Sequence, residues 1–215
     1  MTDFRAVIFD MDGTLLDTER VMIECGQDTL TSLGLPGRRD LLISMVGLIA
    51  ADCDALLVQA FGPGFDIPAF NAAWRKRVLA RYETGIPLRP GADTLLNALS
   101  ARAMPLSLAT NSMTFHAHDN LAIAGIAHHF GAHVHGRDKV TRPKPAPDLF
   151  LHAAGALGVA PEACLVFEDS DAGTTAARHA GMTVVQVPDM RPPATDHAHL
   201  IADTLLDGAA HFGIL

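Results

Sequence analysis

The chain has 215 residues, 49% apolar and 19% charged, with a formal net charge of −8. That length suits one large domain or a core with a smaller insert, and the acidic balance excludes general affinity for nucleic acid or anionic membranes. Three scattered cysteines (Cys25, Cys53 and Cys164) fit neither a disulfide framework nor a zinc site, and no apolar run is long enough to span a bilayer, so a cytoplasmic protein is expected.

The first element, residues 5–9, is an apolar run that reads as a buried strand. It ends in Asp10-Met11-Asp12-Gly13-Thr14. Asp10 and Asp12 flank one residue, so they point the same way if the strand continues. Two such charges at ~4 Å repel by about 4 kcal/mol with an effective dielectric near 20. A divalent cation is the usual remedy. Residues 17–87 then carry helical patterns only, over 20–33, 40–46, 52–61 and 68–82. Along the last of these, Ile67, Phe70, Trp74, Val78 and Tyr82 recur at helical spacing. Gly-Pro turns at 34–37 and 61–64 separate the segments. From residue 92 helices (92–99, 115–124, 149–157, 171–180) alternate with strands (106–110, 132–135, 165–168, 183–187). Such alternation implies a parallel sheet with right-handed crossovers. The expected fold is α/β: a Rossmann-like parallel sheet core from 1–16 and 88–215, with an inserted all-helical cap domain over 17–87.

Polar chemistry falls at four of the strand ends, the edge where ligands bind in such sheets. After the Asp10/Asp12 pair comes Thr110-Asn111-Ser112, a hydroxyl and an amide before a helix start, suited to an oxyanion. Ser112 or Thr114 could equally cap that helix. Lys144 lies between Pro143 and Pro145, which restrict the backbone and direct the side chain. Glu168-Asp169 precede Ser170 and Gly173, and there Asp169 or Ser170 could serve as N-cap. Every candidate ligand is an oxygen, which favours Mg²⁺ over zinc. The eleven histidines are read mostly as surface residues, with His133 and His135 on one strand face and His116 and His118 two apart on a helix.

Taken in order, the DxDGT run at 10–14, Thr110, Lys144 and Glu168-Asp169 resemble the motifs of the haloacid dehalogenase (HAD) superfamily of phosphohydrolases, in the branch with a helical cap after the first motif. The likeness covers almost the whole chain. Asp17-Thr18-Glu19, Lys144-Pro145-Ala146-Pro147-Asp148 and Phe167-Glu168-Asp169-Ser170-Asp171-Ala172-Gly173 further resemble the β-phosphoglucomutase-like subgroup. The resemblance implies a HAD-like core and a phosphatase for a small phosphorylated metabolite, a sugar phosphate or phosphoglycolate-like acid, acting through an aspartyl-phosphate. It makes Asp10 the nucleophile and Asp12 the general acid and then base. Thr110 and the Asn111 region would hold phosphoryl oxygens, and Lys144 would neutralise charge. Mg²⁺ would sit on Asp10, the carbonyl of Asp12 and Asp169, with Glu168 contributing through a water.

In the cap, Met45-Val46-Gly47-Leu48 resembles the subgroup's specificity loop, with Gly47 permitting close approach. From the basic group Arg75, Lys76, Arg77 and Arg81, Arg75 is the candidate for the substrate's distal end. Mutases of the subgroup carry a cap histidine shortly after the first motif and an arginine beyond the loop glycine. This chain has Val21-Met22-Ile23 and Leu48-Ile49-Ala50 there, so a phosphatase is favoured over the alternative, a hexose-phosphate mutase. Pro143 stands where the family usually has Gly. Dehalogenation does not need Asp12, which is retained. The order Asp, Thr, Lys, Glu-Asp around a long insert argues against a phosphorylatable receiver domain. A monomer with no nucleic-acid or membrane partner is expected.

Overall fold

The computed structural model describes residues 3–48 and 50–215; Ile49, part of the loop compared with the mutases, lies outside them. The elements begin with β1 (Ala6–Phe9), followed by α1 (Thr18–Ser32), α2 (Arg39–Met45), α3 (Ala50–Phe61) and α4 (Ile67–Tyr82). Then come α5 (Ala92–Ala101), β2 (Leu106–Thr110), α6 (Thr114–Ile123), β3 (Val134–Gly136) and α7 (Asp148–Leu157). The chain closes with β4 (Cys164–Glu168), α8 (Asp171–His179), β5 (Thr183–Gln186), β6 (Leu200–Ile201) and α9 (Leu205–His211). Two compact units result: residues through Asp17 with Pro87–Leu215, and Thr18–Ile86. The divisions fall where the Asp17 N–H donates to Pro87 O and Leu16 bridges antiparallel to Leu88, a short pairing that keeps both linkers with the first unit.

The first unit is a six-stranded parallel sheet in the order β3-β2-β1-β4-β5-β6. Both faces are covered, as all-parallel sheets require. Ala6, Ile8, Cys164, Val166 and Val184 pack on Leu149, Phe150, Ala153 and Ala154 of α7 and on Ala176 and Ala177 of α8. The alternate residues face the other way. There Phe9 stacks on Phe167 with centroids 5.3 Å apart, and Phe130 meets Phe9 edge-on at 6.4 Å. Gly208 lets α9 come this close: a Cβ there would lie 2.7 Å from Val185 Cγ1. Burial on both faces is why β1 and β4 read as apolar runs and why β2 is interrupted only by Ser107, itself buried. The sixth strand, β6, is not among the expected elements; two residues, one of them exposed, make no periodic pattern.

The strand order brings the polar strand ends together. β1 lies between β2 and β4, with Phe9 level with Leu108 on one side and Phe167 on the other. One residue further, Asp10 reaches the level of Glu168, and the Asp10 N–H continues the ladder to Phe167 O at 3.0 Å.

The second unit is all helical. Gly26 of α1 gives room to its neighbours, since a Cβ there would lie 3.0 Å from the Leu42 methyls and 3.1 Å from the Trp74 ring. Trp74 Nε1 donates to Met22 O at 2.8 Å and ties α4 to α1. Asp66 caps α4 by accepting from the Ala69 N–H, with Pro68 in the first turn. Of the apolar stripe only Phe70 is fully buried; Trp74, Val78 and Tyr82 are half-buried.

One histidine is not a surface residue. His135 on β3 is 6% exposed, its ring 4.7 Å from that of His152 on α7, and its Nε2 has no hydrogen-bond partner. Burial, then His152, His133 and Lys139, lower its pKa to about 4. A depressed histidine contributes stability that is present above the unfolded value near 6.5 and is lost as pH falls toward 4. The shift corresponds to about 3 kcal/mol. His135→Phe is therefore expected to lose less stability than wild type between pH 6.5 and 4, measured as the difference in urea unfolding free energy. Parallel acid curves for the two proteins would contradict the assignment.

Candidate active site

The first loop is shaped by Gly13. Its φ of 80° turns the chain so that the Gly13 N–H donates to Leu16 O, while Met11 O accepts from Leu15 and Leu16. A side chain is excluded for a second reason: a Cβ on Gly13 would lie 2.6 Å from Asp169 Oδ2. The Asp169 carboxylate thus sits directly on the Asp12-Gly13 backbone, across 155 residues of chain from Thr14, whose Oγ1 donates to Asp169 Oδ1 at 3.2 Å. Sequence reasoning missed Thr14; only its place in the DxDGT run could have flagged it.

Lys144 is the hub of the acids. It is 6% exposed, its Nζ donates to Asp10 Oδ1 at 2.6 Å and to Glu168 Oε1 at 2.7 Å, and it lies 4.6 Å from the centroid of the Phe150 ring. Burial alone would lower the lysine's pKa, but Asp10 and Glu168 overcome it and hold the ammonium charged, above its usual value. The Asp10 carboxyl is pushed well above the usual carboxylate range by burial first, then by Glu168 and Asp12, against the pull of Lys144. Of the four acids Asp10, Asp12, Glu168 and Asp169, Lys144 pairs directly with Asp10 and Glu168.

Two residues do other work than the sequence suggests. Asn111 is read there as a phosphate ligand, but its side chain is engaged at both ends with one backbone: Nδ2 donates to Lys144 O and Oδ1 accepts from the Lys144 N–H, each at 3.1 Å. It clamps the Lys144 loop, which leaves one Nδ2–H and its main chain for an oxyanion. Glu168 is read as a metal ligand through a water, and both of its oxygens also accept hydrogen bonds from the protein. Oε1 holds Lys144, and Oε2 accepts from the Asp169 N–H, the Ser170 N–H and Ser170 Oγ. At 1% exposure it is the lysine's buried counter-charge. Gly173 makes room for it, because a Cβ there would overlap the Glu168 carboxylate.

Around this centre several further polar groups are hydrogen-bonded. Thr110, buried at the end of β2, accepts the Ser112 N–H on Oγ1 at 3.1 Å. Ser170 is the N-cap of α8, accepting from the Gly173 N–H. Neither Ser112 nor Thr114 caps α6; Asp138 accepts the Thr114 N–H instead, and Ser112 Oγ donates to Asp12 Oδ2 at 2.8 Å. Gln186, at the end of β5, donates to Asp169 O at 3.0 Å. It gave no sequence signal, because a lone Gln in an apolar strand has no motif.

Among the described residues no three His, Cys, Asp or Glu side chains form a ready metal cage. The donor set nevertheless fits Mg²⁺, which keeps several waters and takes one or two carboxylates with other oxygens. Asp10 and Asp169 supply two carboxylates and Asp12 a backbone carbonyl, an all-oxygen set with no nitrogen or sulfur donor.

In the helical unit, Gly47 has φ 75° in the turn after α2 and lines a cavity of about 300 Å³ with Glu19, Met45, Asn71 and Trp74. Arg75, Lys76, Arg77 and Arg81 are all exposed. Arg75 lies beside a separate, shallower hollow with Met22 and Leu79, and Arg81 donates to Thr84 Oγ1. No helix among the described residues is long and apolar enough to cross a membrane.

A protein-family model of haloacid dehalogenase-like hydrolases matches residues 4–181. A Drosophila melanogaster protein named a probable pseudouridine-5′-phosphatase is 36% identical over 93% of this chain and 89% of its own length. The fructose-1-phosphate phosphatase of Escherichia coli is 33% identical over 86% of this chain and 96% of its own. Among solved structures, a HAD family hydrolase of Deinococcus radiodurans, crystallised with bound phosphate and sodium, superposes with a TM-score of 0.87. It shares 30% identity over 100% of this chain and 99% of that one.

Proposed function

Since the chain belongs to the haloacid dehalogenase-like hydrolases, we propose that it hydrolyses the phosphate monoester of a small metabolite through a phosphoryl group carried on Asp10, with Mg²⁺ as cofactor. The observation that carries this reading is the buried bridge from Lys144 to both Asp10 and Glu168, at 2.6 and 2.7 Å. Two phosphatases among the relatives, one named for a nucleoside phosphate and one for a sugar phosphate, support a small phosphorylated metabolite and a hydrolase rather than a mutase. The phosphate bound to the Deinococcus protein supports a phosphoryl site in this fold.

Phosphate monoesters need accelerations of up to ~10²¹ over their unaided hydrolysis. A covalent intermediate divides that barrier in two. In the first half, a carboxylate oxygen of Asp10 bonds to phosphorus as the ester P–O bond breaks, and Asp12 gives its proton to the leaving oxygen. In the second, Asp12 takes a proton from water, the water oxygen bonds to phosphorus, and Asp10 is released with inorganic phosphate. Lys144 holds Asp10 in place and offsets the charge that gathers on the phosphoryl oxygens. Thr110 and the main chain of its loop are the proposed contacts for those oxygens. Asp10, Asp169 and the Asp12 carbonyl would hold Mg²⁺, which supplies charge neutralisation and polarises the phosphoryl group. The helical unit is proposed as the cap, with Gly47 and Arg75 as its candidate substrate contacts.

The test is inorganic phosphate release from a panel of sugar, polyol, nucleoside and carboxylic-acid phosphates, with Mg²⁺ and with EDTA. Release with Mg²⁺, without any bisphosphate activator and lowered about 10²-fold or more on chelation, is expected. Release indifferent to EDTA would remove the cofactor from the proposal. An isomerised product that needs a bisphosphate would establish the mutase.

A further inference from the structure

We propose that Ser112 is a positioning residue for proton transfer: its hydroxyl fixes the Asp12 carboxyl in the orientation from which a proton passes to the leaving group. The inference rests on the reading of Asp12 as general acid given above. Ser112 Oγ donates to Asp12 Oδ2 at 2.8 Å, joining loops 100 residues apart in sequence.

The hydroxyl stands on a rigid support. The Ser112 N–H donates to Thr110 Oγ1 at 3.1 Å, and Ser112 O accepts from the Arg137 N–H at 3.0 Å. Gly136 lies so close behind the loop that a Cβ there would sit 2.5 Å from Ser112 O. Nor does helix capping occupy this hydroxyl. The helix α6 begins two residues later, its N-cap residue Met113 offers no side-chain bond, and the Thr114 N–H is satisfied by Asp138. A capping serine accepts from the backbone, whereas this one donates to a carboxylate.

That donation has a chemical consequence. Held by Ser112 through Oδ2, Asp12 keeps one rotamer in which to carry its proton. As the Asp10 oxygen bonds to phosphorus and the ester bond breaks, that proton moves to the departing oxygen, giving a neutral alcohol and the Asp12 carboxylate. Proton transfer of this kind is worth 10²–10⁴-fold when the donor is aligned, and alignment depends on groups that lock the donor's rotamer.

The experiment compares kcat/KM of wild type and Ser112→Ala on two esters. One is glycerol 3-phosphate, or whichever alkyl phosphate the wild type turns over fastest. The other is p-nitrophenyl phosphate, whose leaving group departs as a stable anion without a proton. Because kcat/KM reports on steps through phosphoryl transfer, it isolates the acid half of the cycle. Ser112→Ala is expected to lose about 10–10²-fold on the alkyl ester and less than about threefold on the nitrophenyl ester. The ratio of the two values is independent of the fraction of enzyme that is folded, so a destabilised variant still gives a decision. Equal losses on both esters, or no loss on either, would overturn the proposal and leave the phosphatase reading standing. No release from either ester by the wild type would instead overturn the phosphatase reading itself, and the inference with it.

Discussion

Asp10→Asn is expected to abolish phosphate release, by on the order of 10⁴-fold or more in kcat, while the protein stays folded. The amide matches the carboxylate in shape but does not form the phosphoryl ester. Stability should change little. The Asp10 carboxyl is raised above its unfolded value by burial and by Glu168 and Asp12. Such a group stabilises the fold only at pH below about 3.9, in its neutral form, and its ionisation is a cost at neutral pH. The Asn removes that cost and with it one of the two carboxylates that accept from Lys144, so the two changes oppose each other. Phosphate release and a thermal melt on the same preparation decide the matter. Turnover retained within tenfold of wild type would refute Asp10 as nucleophile.

The second large effect falls on both activity and stability. Lys144→Met leaves Asp10 and Glu168 buried without their cation, and removing one partner of a buried pair costs about 3–5 kcal/mol. Because the lysine is held charged above its usual pKa, its contribution is fully present below about pH 10.4 and is lost only as pH rises through the folded value. The deficit should therefore be visible in urea melts at pH 7. Activity should fall about 10²–10³-fold, as when a single charge-stabilising donor is removed. Adding Glu168→Gln to Lys144→Met is expected to recover much of the stability and none of the activity. Recovery of both would mean that Lys144 serves the fold alone. Gly173→Ala attacks the same arrangement from behind, since its methyl displaces the Glu168 carboxylate, and should reproduce a smaller version of both losses.

Much of this site is legible in the primary chain because parallel strands buried on both faces are written as apolar runs. A polar residue at the end of such a run stands out, and Asp10, Thr110 and Glu168 are found that way. Lys144 stands out through its flanking prolines. Asn111 and Glu168 show the limit of that reading. Both are visible as polar groups at strand ends, but what each one holds depends on the loop it meets. Asn111 meets the Lys144 backbone 33 residues away. Glu168 meets Lys144 and the start of the following helix. His135 looks like one of eleven surface histidines, and only the packing of α7 buries it.

The sequence by itself determined the α/β alternation, the helical insert after the first strand and the acids, hydroxyl and lysine that end the buried strands. Local periodicity and backbone preference are enough for these, since each depends on neighbours within a turn or a strand. The tertiary structure alone decided strand order, and with it that β1 lies between β2 and β4. It also decided that Thr14 holds Asp169, Gln186 steadies the same loop and Ser112 reaches Asp12. Those contacts join residues between 17 and 155 positions apart. No periodicity encodes them; they exist because pairing the strands in this order brings their polar ends within hydrogen-bond reach.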